Sequence, residues 1–194
     1  MSGRYRTGLI AAFIVQVLLL GWIIADRALL IENGREIRLA VIPIDPRDLF
    51  LGDYVTLSYG ISRVHAGSVA GENYFYEGDT VYVTIGEADG DFAATALTRE
   101  PPADGLYLRG IVERVADVTP EEGSDCTDTV GGCYGYDIAY NLERFYVPEG
   151  TGRELEDLTR GERVSVDVAV AADGRAALKR LLVDGEVRHE ESLL

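Results

Sequence analysis

The chain holds 194 residues, 47% of them hydrophobic and 26% charged, which suits one folded domain or two small ones and argues against a disordered chain. Its 18 Lys and Arg against 33 Asp and Glu leave a net charge of −15, so a phosphate backbone is repelled and nucleic-acid binding is set aside. Two Cys and two His are too few to close a Cys/His zinc site without carboxylates, and no cofactor is expected.

Gly8–Ala25 contains 18 residues with no formal charge and one polar side chain, Gln16. At helical rise the stretch spans roughly 27 Å, near the ~30 Å hydrocarbon core of a bilayer. A buried soluble helix would keep a polar stripe, and this one has none. Arg4 and Arg6 precede it, while Asp26 and Arg27 after it nearly cancel, so the N-terminus is expected in the cytoplasm and the rest outside. A cleaved signal peptide would have a shorter apolar run and a small-x-small site, whereas Ala25-Asp26-Arg27 puts charge there. The helix is expected to continue through Ile31-Glu32 and to stop at Asn33-Gly34 in a left-handed C-cap. The organisation read from this is a cytoplasmic tail over 1–7, a transmembrane helix over 8–25, a helical stalk over 26–35 and an external domain over 36–194. Taking Arg4, Arg6 and Asp26 away leaves 16 basic and 32 acidic residues over 27–194, a net of −16. Such a domain is expected to stand off anionic headgroups or to meet a basic partner.

From Glu36 onward the pattern is β. Glu36–Ile42 alternates, with Ile37, Leu39 and Val41 on one face. Asp53–Ile61 reads as a second strand and Val81–Ile85 as a third, which turns at Asp89-Gly90 into Phe92–Leu97. Leu106–Val115 and Tyr134–Tyr140, the latter running towards Val147, follow. Val164–Val170 and Ala176–Val183 form a further hairpin at Asp173-Gly174. Gly52-Asp53-Tyr54-Val55, Gly78-Asp79-Thr80-Val81 and Gly161-Glu162-Arg163-Val164 share a glycine turn that opens a half-buried strand, a recurrence that describes architecture. One short helix is expected over Thr151–Leu158, with Thr151 and Glu154 as a capping box. Asp45-Pro46 can start one tight turn. The fold class is therefore mainly β: a small barrel or sandwich-like external domain behind a single N-terminal transmembrane helix.

Cys126 and Cys133 lie close together in a polar stretch and, outside the cytoplasm, are most simply a disulfide; the tighter C-x-x-C spacing of a redox pair is absent. His65 falls in a Gly/Ser/Ala stretch and His189 in an acidic tail, and each is expected to be an exposed histidine. Glu87, Asp89 and Asp91 lack the rest of a calcium loop and read as a solvated hairpin tip. No phosphate-cradling glycine loop or dinucleotide fingerprint is present. Tyr74-Phe75-Tyr76 with Tyr134, Tyr136 and Tyr140 suit a recognition surface and a strand core equally.

Gly52, Asp53, Tyr54, Leu57 and Tyr59, preceded by Asp45-Pro46-Arg47-Asp48, give the chain a resemblance to the GDYxxLxY family, membrane-anchored bacterial proteins of uncharacterised function. Phe145–Gly150 and the last hairpin also look like that family, so the resemblance covers nearly the whole chain. It implies an anchor, an extracytoplasmic domain and company with multi-span membrane proteins, and it implies no activity. Read physically, Gly52 supplies the turn, Asp53 caps it or pairs with Arg47, and Val55, Leu57 and Tyr59 face the core. Tyr54, Thr56 and Ser58 face the other way, so a functional surface in the motif would centre on Tyr54 with Asp53 beside it. The structural reading of the motif is preferred to a catalytic one.

The same region loosely resembles the surroundings of the catalytic serine in signal peptidases and related Ser-Lys proteases. The nucleophile position falls on Pro43, and the one lysine, Lys179, lies in the last hairpin, so no dyad is visible. The expected role is a non-catalytic accessory or scaffold for an integral-membrane partner; the alternative is a hydrolase on a signal-peptidase-like barrel. Oligomeric state is not legible in the sequence.

Overall fold

A computed structural model describes residues 3–42, 54–72, 74–88, 91–118, 133–146 and 164–190. Helix α1 (Gly3–Asn33) runs unbroken from the apolar stretch into the β domain. The strands are β1 (Arg35–Ile42), β2 (Tyr54–Thr56), β3 (Ser58–Tyr59), β4 (Arg63–His65), β5 (Ala70–Gly71), β6 (Thr80–Ala88), β7 (Asp91–Thr98), β8 (Leu106–Val118), β9 (Cys133–Ala139), β10 (Arg144–Tyr146), β11 (Val164–Val170), β12 (Ala176–Val183) and β13 (Glu186–Glu190). One sheet has the order β13-β12-β11-β1-β3, a second β4-β9-β8-β6-β7-β5, and β10-β2 form a short ribbon. The result is mainly β, a curled half-barrel behind one apolar helix.

One core lies between the two large sheets. It takes Ile37 and Leu39 from β1, Val81, Val83 and Ile85 from β6, Val166, Val168 and Val170 from β11, and Leu178, Leu181 and Val183 from β12. Period-two alternation explains β1 and β6, whose intervening residues are partly or fully exposed. The β11 strand departs from alternation, because Val164 to Val170 is buried at every position except Ser165. Two elements cover its second face. Asp167 is held by Arg38 and Arg180, and Ala169 lies under Leu30 at the end of α1.

That helix–sheet contact is close because its residues are small. Leu30 packs on Ala169 and Ala177, with Ile31 and Ala171 beside them. The N–H of Gly34 donates to Leu30 O at 2.9 Å. A Cβ at Gly34 would stand 2.6 Å from Leu30 O and 2.9 Å from Ala169 Cβ, so the chain turns there only without a side chain. Gly34 is not among the residues with positive φ. The left-handed C-cap expected at Asn33-Gly34 is therefore replaced by a close approach of helix to strand.

Three further readings are corrected. Asp53–Ile61 is not one strand: β2 pairs with β10 and β3 pairs with β1, so the segment changes partner at Leu57. The strand through Tyr134 ends at Ala139, where Asn141 turns the chain with φ 61, and β10 is separate. The acidic tail is strand β13, entered through Asp184 (φ 51) and Gly185 (φ 85), the two positive φ values of a type I′ hairpin. The expected helix over Thr151–Leu158 and the Asp89-Gly90 turn lie outside the described residues; the short helical turn that is described is Ala66–Ser68.

Candidate functional site

Asp45, Pro46, Arg47, Asp48, Gly52 and Asp53 lie outside the described residues, as does the side chain of Tyr54. Leu57 and Tyr59 are both buried, each 1% exposed, on the core side as their spacing requires. They are fastened to the turn that follows β9. Leu57 N–H donates to Glu143 O at 2.7 Å. The Tyr59 hydroxyl donates to Leu142 O at 2.6 Å, and the Tyr140 hydroxyl donates back to Ile61 O at 2.7 Å. Glu143 closes the turn by accepting from Tyr140 N–H at 2.6 Å and Leu142 N–H at 3.0 Å. Burial, with the Glu143 charge nearby, pushes both hydroxyls well above the ordinary tyrosine range, so they act as hydrogen-bond donors and not as acids. The described half of the motif thus forms a reciprocal tyrosine lock between two crossing segments. Glu143, which completes it, carries no sequence signature.

An open groove of about 1460 Å³ runs from this lock to the foot of α1, between the two sheets. Leu57, Tyr59, Ile111 and Ile138 give it apolar walls, and Arg63 bound to Asp137 at 2.8 Å lies on its rim. At its helical end Arg175 grips Asp26 with two bonds and Asp173 at 2.7 Å, while Arg27 donates to Ala176 O at 3.2 Å. Among the described residues no cluster of three His, Cys, Asp or Glu suits a metal.

The six aromatic residues divide. Phe75, Tyr136 and Tyr140 are buried. Tyr74 and Tyr76 are 50% and 60% exposed, and Tyr134 is half-buried behind them. The Tyr74 ring stands edge-on to Tyr76 at 5.0 Å and to Tyr134 at 5.6 Å. A hydrogen bond with Tyr76 raises the Tyr74 hydroxyl above its ordinary pKa.

His65 ends β4 and His189 sits in β13 opposite Leu181; both are half-buried and not fully exposed as expected, because each has been drawn into a strand. Lys179 Nζ is 2.7 Å from Glu36 Oε2 on the outer face of the first sheet. Cys133 opens β9, but its side chain and all of Cys126 lie outside the described residues, so the expected disulfide does too. The helix–sheet joint was missed by sequence reasoning: Asp26 and Arg175 are 149 residues apart, and nothing local to either announces the other.

A family model, GDYXXLXY protein, matches residues 16–181. No curated protein and no solved structure matches the chain.

Proposed function

The chain belongs to the GDYXXLXY protein family, and from that premise we propose that it is a non-catalytic accessory or scaffold for an integral-membrane protein. In this reading α1 is a signal-anchor that crosses the bilayer once with its N-terminus in the cytoplasm, and the β domain is extracytoplasmic. The observation that carries the proposal is the joint between α1 and the domain. Leu30 is buried against Ala169 and Ala177, Gly34 admits no side chain, and Arg175 is bonded to Asp26. With no free linker, the domain is presented in one orientation to neighbours in the same membrane. A neighbour in that bilayer gains from such fixed presentation, whereas an enzyme with a diffusing substrate has no need of it.

The hydrolase alternative has less support. Lys179 is engaged by Glu36. Ser62 Oγ accepts from Tyr59 N–H at 3.1 Å, and Ser68 Oγ donates to His65 O at 2.9 Å. Crosslinking of the full chain in its native membrane is expected to give a specific adduct with an integral-membrane protein, and a serine-directed fluorophosphonate is expected to leave the domain unlabelled. Labelling at a serine of the domain, with no membrane-protein adduct, would overturn the proposal. Protease added to spheroplasts is expected to digest the domain; full protection behind a sealed membrane would overturn the orientation.

A further inference from the structure

Between β5 and β6, burial alternates along Tyr74-Phe75-Tyr76. Phe75 is driven into the core at 1% exposure. Its neighbours Tyr74 and Tyr76 are thereby turned outward, where they join Tyr134. Large apolar rings in water are ordinarily a cost without return, so what holds them there matters. The backbone is pinned on both sides. Arg99 donates to Tyr74 O at 2.6 Å, binds Glu72 through its side chain and its own N–H, and lies 4.7 Å over the Phe75 ring. Phe75 N–H donates to the Tyr136 hydroxyl at 3.2 Å, Tyr76 N–H to Asp79 Oδ2 at 3.0 Å, and Gly78 N–H to Val112 O at 2.8 Å. The rings are preorganised: little ordering entropy remains to be lost when something lands on them.

The charge around them selects the occupant. Glu72, Glu77 and Asp79 stand in this one segment, where Arg99 pairs with Glu72 and Asp79 and Glu77 lies beside Tyr76. The domain carries a net of −16 over 27–194. Perpendicular tyrosine rings offer π faces to a cation, and a carboxylate rim strengthens that preference and repels an acidic ligand. We propose that the Tyr74–Tyr76–Tyr134 corner, with Glu77 at its edge, is the surface by which the domain holds an extended Arg- or Lys-bearing segment of a protein partner. This deepens the accessory reading and rests on it.

The test uses the full chain in nanodiscs of zwitterionic lipid at 0.15 M salt, titrated calorimetrically with capped hexa-arginine and hexa-glutamate. Hexa-arginine is expected to bind and hexa-glutamate not to. Y74A/Y76A should weaken hexa-arginine at least tenfold with an unchanged melting curve, whereas Y74F/Y76F, which keeps the ring faces, should stay within threefold of the parent. E186Q/E190Q, which removes charge from the far sheet edge, should change little. The proposal falls if the parent binds no hexa-arginine, if Y74A/Y76A binds as the parent does, or if E186Q/E190Q weakens binding equally, which would mean diffuse charge. Self-association lost in Y74A/Y76A, without peptide binding, would assign the corner to a second copy and also overturn it. Crosslinking of parent and Y74A/Y76A in native membranes separates the two readings. A membrane adduct retained by the variant leaves the accessory role and overturns this surface; no adduct with either overturns the accessory role, while the titration still decides the corner.

Discussion

Tyr59→Phe removes one hydroxyl and no packing volume. The Tyr59 hydroxyl is the donor to Leu142 O at 2.6 Å inside the core, and its ring is 1% exposed. Water cannot replace the lost donor, so the carbonyl is left short of a partner at a cost of about 1–3 kcal/mol. For a domain of this size each kcal/mol moves the melting temperature by about 2–4 °C, so a fall of roughly 2–12 °C is expected. The lock is reciprocal, and Tyr140→Phe should behave alike. Both bonds clamp the same two segments, so each single change also loosens the other bond. The double variant should therefore lose less than the sum of the singles, by about 0.5 kcal/mol or more. The burial-raised hydroxyls add a pH signature. Their pKa lies above the ordinary tyrosine value in the folded chain, so the folded state holds the proton longer than the unfolded state does. That contribution is complete below about pH 10 and is lost above it, by up to about 1.4 kcal/mol per pH unit for each tyrosine. Thermal melts by circular dichroism from pH 7 to 11.5 would read both effects, and Tyr59→Phe should flatten the alkaline decline. An unchanged melt in both Phe variants, or strict additivity in the double variant, would refute the lock.

Leu57→Ala should cost about 2–5 kcal/mol in denaturant melts, whereas the half-buried Ser58 can become Ala within about 0.5 kcal/mol, and a reversal of that order would show the register to be wrong. Gly34→Ala should destabilise the joint by about 1–3 kcal/mol through the contacts a Cβ would make with Leu30 O and Ala169; it should also raise proteolytic cleavage near residue 34, and an unaltered digestion pattern would count against the close approach. On the proposed extracytoplasmic placement, Cys126 and Cys133 in protein quenched at harvest are expected to resist alkylation until reduced, and two reactive thiols in denatured, unreduced material would rule out the bridge.

Much of this architecture is written locally. The β1 strand follows from period-two patterning, and the β11–β12 hairpin from two apolar runs joined at Asp173-Gly174, whose glycine takes φ 80. The β13 strand had its own signal in Asp184-Gly185, but Glu186–Glu190 bears charge at most positions and masks a strand that is exposed at the sheet edge. The β4 and β5 strands are two or three residues long and exist only because β9 and β7 offer them partners. The break at Leu57 is invisible for a related reason: burial alternates from Leu57 to Ile61 as one strand's would, while the hydrogen-bonding neighbour changes from β10 to β1 across Leu57. Of the motif, the spacing of Leu57 and Tyr59 foretold their burial, yet the acceptors that give it meaning, Leu142 and Glu143, are more than 80 residues away. Asp167 is likewise buried among valines, and only the fold reveals that Arg38 and Arg180 meet it.

Because α1 passes into the sheet without a hinge, the helix and the domain form a lever. Tyr107, whose hydroxyl reaches Ala172 beside the joint, and Val115, whose N–H reaches Glu77 beside the tyrosine corner, lie on the same strand. They are eight residue steps apart, roughly 26 Å at about 3.3 Å per step. In a bilayer, a helix tilt of about 20° would swing a point at that radius by up to about 9 Å. Tilt answers to hydrocarbon thickness, so a thicker or thinner membrane would move the corner relative to any fixed neighbour. With α1 as the proposed anchor, the lipid composition around it would then act as a ruler that sets the reach of the domain.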